Sequence, residues 1–254
     1  MEYLSIEEGR SRSGLRLVLT TGVPGPWGEL AKYILHVKGL DFLALAQLAG
    51  QPNEALHDWT GQTSAPVAVW NDEPPRTSWE SIAWLAERLQ SEPCLIPADP
   101  GIACRTLGIA RAMAGECGFG WYRRIMILQA SMQRDATRET SERLGAKYGY
   151  NATEAVIAPG KVAAYLQWFD HLLAEQEAKG SHYFVGHDLT LADLAWAAFA
   201  IMVRPLPERD CPMHPAFREA YELRDPAILP LVTPRLLAHR DYVYQHHLAL
   251  PLDF

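Results

Sequence analysis

The sequence predicts two domains, a mixed α+β domain followed by an all-α one. Three observations carry this reading. Short β-branched apolar runs occupy the first part of the chain, helical periodicity dominates the remainder, and a breaker-rich stretch, Ser91 to Gly101 (SEPCLIPADPG), divides them. The expected boundaries are a tail over 1–14, a small domain over 15–91, a linker over 92–104 and a helical domain over 105–254.

Leu15 to Thr21 (LRLVLTT) reads as the first strand. Gly22, Pro24, Gly25 and Pro26 then break the chain. Trp27 to Val37 follows as a helix with Leu30, Tyr33, Ile34 and Val37 on one face, and it ends at Lys38-Gly39, a last-turn cation and a left-handed cap. Asp41 to Leu48 is a second strand, followed by a polar loop containing Pro52, Asn53 and Gly61. Ala65 to Trp70 is a third strand opened by Pro66. Thr77-Ser78-Trp79-Glu80 has the form of a capping box, with Ile82, Leu85, Ala86 and Leu89 at helical spacing behind it. Beyond the linker, helices are expected over Cys104–Glu116, Trp121–Tyr148, Pro159–Lys179, Thr190–Val203 and Pro215–Glu222. Thr190 and Asp193 form a second box, whose role is structural.

Composition narrows the function. Hydrophobic residues make up 48% and charged residues 21%, ordinary for a globular protein. A net charge of −7 favours solubility and gives no reason to expect nucleic acid or an anionic membrane as partner. No apolar run approaches the roughly 20 residues that span a bilayer. The polar stretch Met1 to Arg12 is no secretory signal, and reads as a disordered or capping tail. Cys94, Cys104, Cys117 and Cys211 form no Cys-x-x-Cys pair and read as free thiols in a reducing cytoplasm. No metal motif is present; His246-His247 is the nearest candidate, and neighbours on a helix face different directions. Asn151-Ala152-Thr153 fits the glycosylation pattern, which has no meaning in a cytosolic protein.

Three segments, in order, resemble the glutathione transferase family. Gly25-Pro26-Trp27-Gly28-Glu29, with Lys38-Gly39 thirteen residues after Gly25, looks like the strand-to-helix turn of omega- and zeta-type members. Ser64-Ala65-Pro66-Val67 resembles the loop that holds the family's cis-proline. Thr77-Ser78, eleven residues after Pro66, stands at the family's Glu-Ser pair; a rival register places Glu80-Ser81 there but needs a gap. Tyr183 to Asp193 matches the helical domain's Gly-x-x-x-Ser/Thr-x-Ala-Asp motif.

The resemblance implies a thioredoxin-like glutathione-binding domain, a helical second domain and a cytoplasmic homodimer. It implies contacts to glutathione from Gly25, Trp27, Gly28, Ala65, Pro66, Thr77 and Ser78. The second substrate would be a small hydrophobic electrophile, or a disulfide or peroxide. One departure bears on the chemistry: Gly25 stands where the family carries its thiol-activating Ser or its Cys. Thr21 or Thr20 would then donate a hydroxyl to the thiolate, or the amides of Trp27 and Gly28 would stabilise it. For the second substrate, Trp121, Tyr122 and Arg123 offer aromatic surface and charge. The alternative is a binding or scaffold member of the fold without turnover.

Overall fold

The computed structural model describes residues 1–254. The chain forms two compact units. One comprises Met1–Leu95 together with Pro207–His214 and His247–Phe254; the other comprises Ile96–Leu206 and Pro215–His246.

The first unit is built on a three-stranded sheet, β1 (Leu15–Thr20), β2 (Leu43–Gln47) and β3 (Val67–Trp70), in the order β2-β1-β3. β1 runs parallel to β2 and antiparallel to β3. Leu15 to Leu19 are all buried, as a central strand covered on both faces requires. Arg16 lies within that run; its guanidinium donates to the carbonyls of Arg12 and Asn71 and lies over the Trp59 ring. On one face Val18, Leu45, Val67 and Val69 pack with Ile6 of α1 (Ile6–Arg10) and Leu56 of α3 (Glu54–Thr60). Against the alternate side chains of β1 lies α2 (Pro26–Val37). A Cβ at Gly28 would stand 3.3 Å from the Leu19 side chain. α4 (Trp79–Leu89) packs beside α2.

Two expectations change here. Residues read as a tail are ordered: Ser5 and Glu8 form a capping box for α1, and Leu4 bridges in parallel to Leu45 on the outer side of β2. Gly9 makes this possible, since a Cβ there would fall 1.6 Å from Leu45 Cδ2. The polar loop after β2 contains α3. Asn53 opens α3 at φ 53°, its side chain bonded to the Leu48 amide and carbonyl. Beyond β3, one antiparallel bridge joins Ala68 to Arg76.

The second unit is helical, with α5 (Pro100–Ala114), α6 (Phe119–Met132), α7 (Arg138–Lys147), α8 (Ala152–Glu177), α9 (Leu191–Phe199), α10 (Pro215–Tyr221) and α11 (Pro234–His247). α9 is buried on every side, the pattern of a core helix. Phe119, Phe169 and Trp196 meet around it with ring centroids 5.6–5.9 Å apart. Gly120 lets α6 approach α9, because a Cβ would sit 2.2 Å from the Phe199 ring. The segment read as one helix from Trp121 to Tyr148 breaks between α6 and α7. Pro159 opens no helix. It lies inside α8, which Asn151 caps by accepting the Glu154 amide at 2.8 Å. α5 begins at Pro100, within the stretch read as linker, with Asp99 as its cap.

Asp193 is buried and accepts from the Phe184 amide (2.8 Å) and from the Thr190 amide and hydroxyl (2.8 and 2.9 Å), with His239 Nε2 at 2.9 Å. The Thr190 hydroxyl thus donates to this carboxylate.

Candidate functional site

Strand direction gathers the candidates of the first unit. Val18 of β1 pairs with Val67, the first residue of β3, so Ala65 and Pro66 emerge where β1 ends at Thr20. The Ala68–Arg76 bridge is also antiparallel, so the chain continuing from Arg76 through Thr77 and Ser78 runs back to that same end. The turn into α2 starts there too. Three segments distant in sequence share one end of one sheet.

The local geometry assigns different roles to the two threonines. The Thr20 hydroxyl donates to Gln47 Oε1 at 2.7 Å, and the Gln47 carbonyl accepts the Thr21 amide at 3.1 Å. The Gln47 side-chain amide goes on to the carbonyls of Leu48 and Thr63. Thr20 has therefore committed its proton. The half-buried Thr21 hydroxyl makes no hydrogen bond within the chain. Gln47, the hub of this arrangement, carried no signal in the sequence.

Gly25 is the N-cap of α2, at φ −64° and ψ 120°, with no side chain to cap the helix. An added Cβ would meet nothing within 4 Å. Pro26 at the first position has no N–H, and the Glu29 amide bonds the Gly25 carbonyl at 2.9 Å. The Gly28 amide has no acceptor in the chain, and Trp27 is half-buried beside it. Glu29 is buried in the same turn and pairs with Lys32 at 2.9 Å, with Oε2 unpartnered. Burial raises its pKa against the opposing effect of Lys32.

The Ala65–Pro66 peptide is cis. Ala65 lies outside the ladder and turns its side chain onto the core. The capping box of α4 differs from the sequence reading: Ser78, not Thr77, is the N-cap. Ser78 Oγ accepts the Ser81 amide at 3.1 Å, and Ser81 Oγ accepts the Ser78 amide at 3.2 Å. Thr77 is left exposed one residue outside that cap.

In the second unit Trp121 donates to Glu154 Oε2 at 3.2 Å, and Arg124 stacks on both Trp121 and Tyr148. Tyr122 is buried. Burial, then the Cys117 thiol it hydrogen-bonds, raises its phenol. Tyr165 donates to the Cys117 carbonyl at 3.0 Å. Arg123, read as part of a substrate pocket, is buried and turns two of its nitrogens to main-chain carbonyls. Its Nε donates to the Met202 carbonyl at 2.8 Å, and its Nη2 to the carbonyls of Ala220, Tyr221 and Glu222 at 3.2–3.3 Å. It closes the C-terminal end of α10, whose last carbonyls lack intrahelical donors. No group of three or more His, Cys, Asp or Glu is placed to hold a metal.

A β1-α2-β2 crossover, an antiparallel β3 entered through a cis-proline and a following helix define a thioredoxin-like domain, here joined to an all-helical one. The chain therefore has the two-domain glutathione transferase fold. Residues 124–224 match the family of glutathione S-transferase C-terminal domains.

Solved structures agree. A glutathione S-transferase from Methylobacterium radiotolerans, in complex with glutathione sulfonate, superposes with a TM-score of 0.64 at 19% identity, over 92% of each chain. One from Methylobacillus flagellatus with glutathione bound gives 0.62 at 14%, over 92% of this chain and 96% of that one. A bacterial zeta-class maleyl pyruvate isomerase gives 0.57 at 16%, over 91% and 92%. No curated protein matches the sequence.

Proposed function

We propose that the chain binds glutathione at the shared end of its sheet and activates the thiol. The thiolate then attacks a small hydrophobic electrophile, or reduces a disulfide or peroxide. The observation that carries this reading is the strand register that brings Thr21–Gly28, Ala65–Pro66 and Thr77–Ser78 together. The Ala65 main chain pairs with the cysteinyl backbone of glutathione. The capped N-terminus of α4, with Thr77 and Ser78, receives the γ-glutamyl carboxylate. The thiol lies at Gly25, Trp27 and Gly28. Its stabilisers are the Thr21 hydroxyl and the Gly28 amide, because Thr20 is bonded to Gln47. Glutathione and glutathione sulfonate in the related structures support the choice of ligand. The working form is a cytoplasmic homodimer; four free cysteines are in keeping with a reducing compartment.

One observation favours a second reading. Gly25 offers neither hydroxyl nor thiol, which suits a member that holds glutathione without turnover. Calorimetric titration with reduced glutathione, followed by thiolate absorbance at 240 nm across pH, decides between them. Binding with a thiol pKa well below about 8.5 is the expected result. Binding with an unshifted pKa selects the second reading, and absence of binding removes both.

A further inference from the structure

The second unit holds a cavity of about 270 Å³ between α6 and the chain leaving α10, and none of its lining residues is among those assigned to glutathione. Met126, Ile127, Ala130 and Leu223 supply apolar lining. The volume falls just under the ~300 Å³ at which small-molecule pockets begin, so it suits a small ligand. Six charged residues line it, and four of them pair with one another. Glu219 pairs with Arg134 at 3.0 Å and Arg224 at 3.4 Å, and Glu222 pairs with Arg224 at 3.1 Å. Asp225 accepts the Ala227 amide at 2.9 Å.

Arg123 is the buried cation of the lining. It is 4% exposed, it lines the cavity, and it has no carboxylate partner. All its hydrogen bonds leave from Nε and Nη2 and end on main-chain carbonyls; Nη1 makes none within the chain. Burial presses its pKa down to about 10, the mark of a charge short of compensation.

We infer that this cavity binds a small monocarboxylate with an apolar body, the carboxylate on Arg123 Nη1 and the body against Met126, Ile127 and Leu223. Guanidinium and carboxylate match in geometry and charge, and the pairing gains strength where water is excluded. A second negative charge would meet Glu222 and Asp225, so monoanions are preferred to dianions.

The test uses 3-phenylpropionate and its neutral amide, titrated into the full chain by calorimetry and saturation-transfer NMR. Saturating reduced glutathione is present in a parallel series to occupy any glutathione site. The carboxylate is expected to bind saturably, at least tenfold tighter than the amide, and equally well with glutathione present. Ala130→Trp, at an exposed position of the lining, should block the cavity and abolish binding. Arg123→Lys should weaken the carboxylate more than the amide. Arg123 also closes α10, so Ala130→Trp keeps the test open if that variant fails to fold. The inference is overturned if the amide binds as tightly as the acid, if binding survives Ala130→Trp, if glutathione displaces the probe, or if the carboxylate does not bind in the millimolar range.

Discussion

Gly25→Ser separates the backbone of the site from its chemistry. The position is extended, and an added Cβ would meet nothing within 4 Å, so serine enters without strain. Serine caps a helix better than glycine by a few tenths of a kcal/mol, and losing the freedom of glycine in the unfolded chain adds about 0.4–1 kcal/mol. The sum is about 0.5–1.5 kcal/mol. At about 2–4 °C per kcal/mol for a chain near this size, the melting temperature should rise by about 1–6 °C. The new hydroxyl also stands at the helix end where the thiol is proposed to lie. A hydrogen bond to a charged group contributes about 1.5–3 kcal/mol, and one pKa unit is about 1.4 kcal/mol. The thiol of bound glutathione should therefore fall by about one to two units, read at 240 nm across pH. A lower melting temperature would refute the backbone argument. An unchanged thiol pKa in a variant that still binds glutathione would refute the placement of the thiol.

Thr21→Val should raise the pKa of bound glutathione by about one unit, the loss of one hydrogen bond to a charged acceptor; an unaltered titration transfers the role to the Gly28 amide. Ser78→Ala should cost about 1 kcal/mol in a urea melt, through loss of the α4 cap, and should weaken glutathione binding measured by calorimetry. Unchanged affinity would remove Ser78 from the ligand. Glu29→Gln tests the buried carboxyl. Its pKa is raised in the fold, so the native state holds an extra proton between the unfolded value of 4.5 and the folded one, and stability falls as pH rises through that window. Glutamine has no proton to lose. Melting temperatures from about pH 4 to 8 should show the variant gaining on the parent as pH rises; a constant difference would contradict this.

The elements most legible in the sequence are those with long, clean periodicity. β1, β3 and α2 stand where Leu15–Thr21, Ala65–Trp70 and Trp27–Val37 place them, because apolar patterning and breakers agree there. The short helices escaped notice. α1 and α3 have five and seven residues, too few to display a period, and α3 depends on a left-handed Asn53 that the sequence reads as loop. Pro159 misled by position: a proline usually marks a helix start, but α8 tolerates it in the interior after an Asn151 cap. That cap was visible as Asn-x-x-Glu, masked by its likeness to a glycosylation signal. α11 gave little amphipathic pattern and went unread. At the candidate site, Gly25, Ala65 and Ser78 were found through resemblance, while Gln47 was not. Its importance arises from register, which pairs it with Thr20 and exists only once the sheet forms.

The two outer borders of the sheet each carry a single bridged residue, Leu4 beside β2 and Arg76 beside β3. Strand borders left open are templates for joining one chain to another. Any partner, or second copy, that sought to extend this sheet would first have to peel away one of those pairs. Peeling Leu4 would also free α1, with Gly9 seated on Leu45. Lengthening of this sheet at those two positions would therefore carry the cost of undoing them.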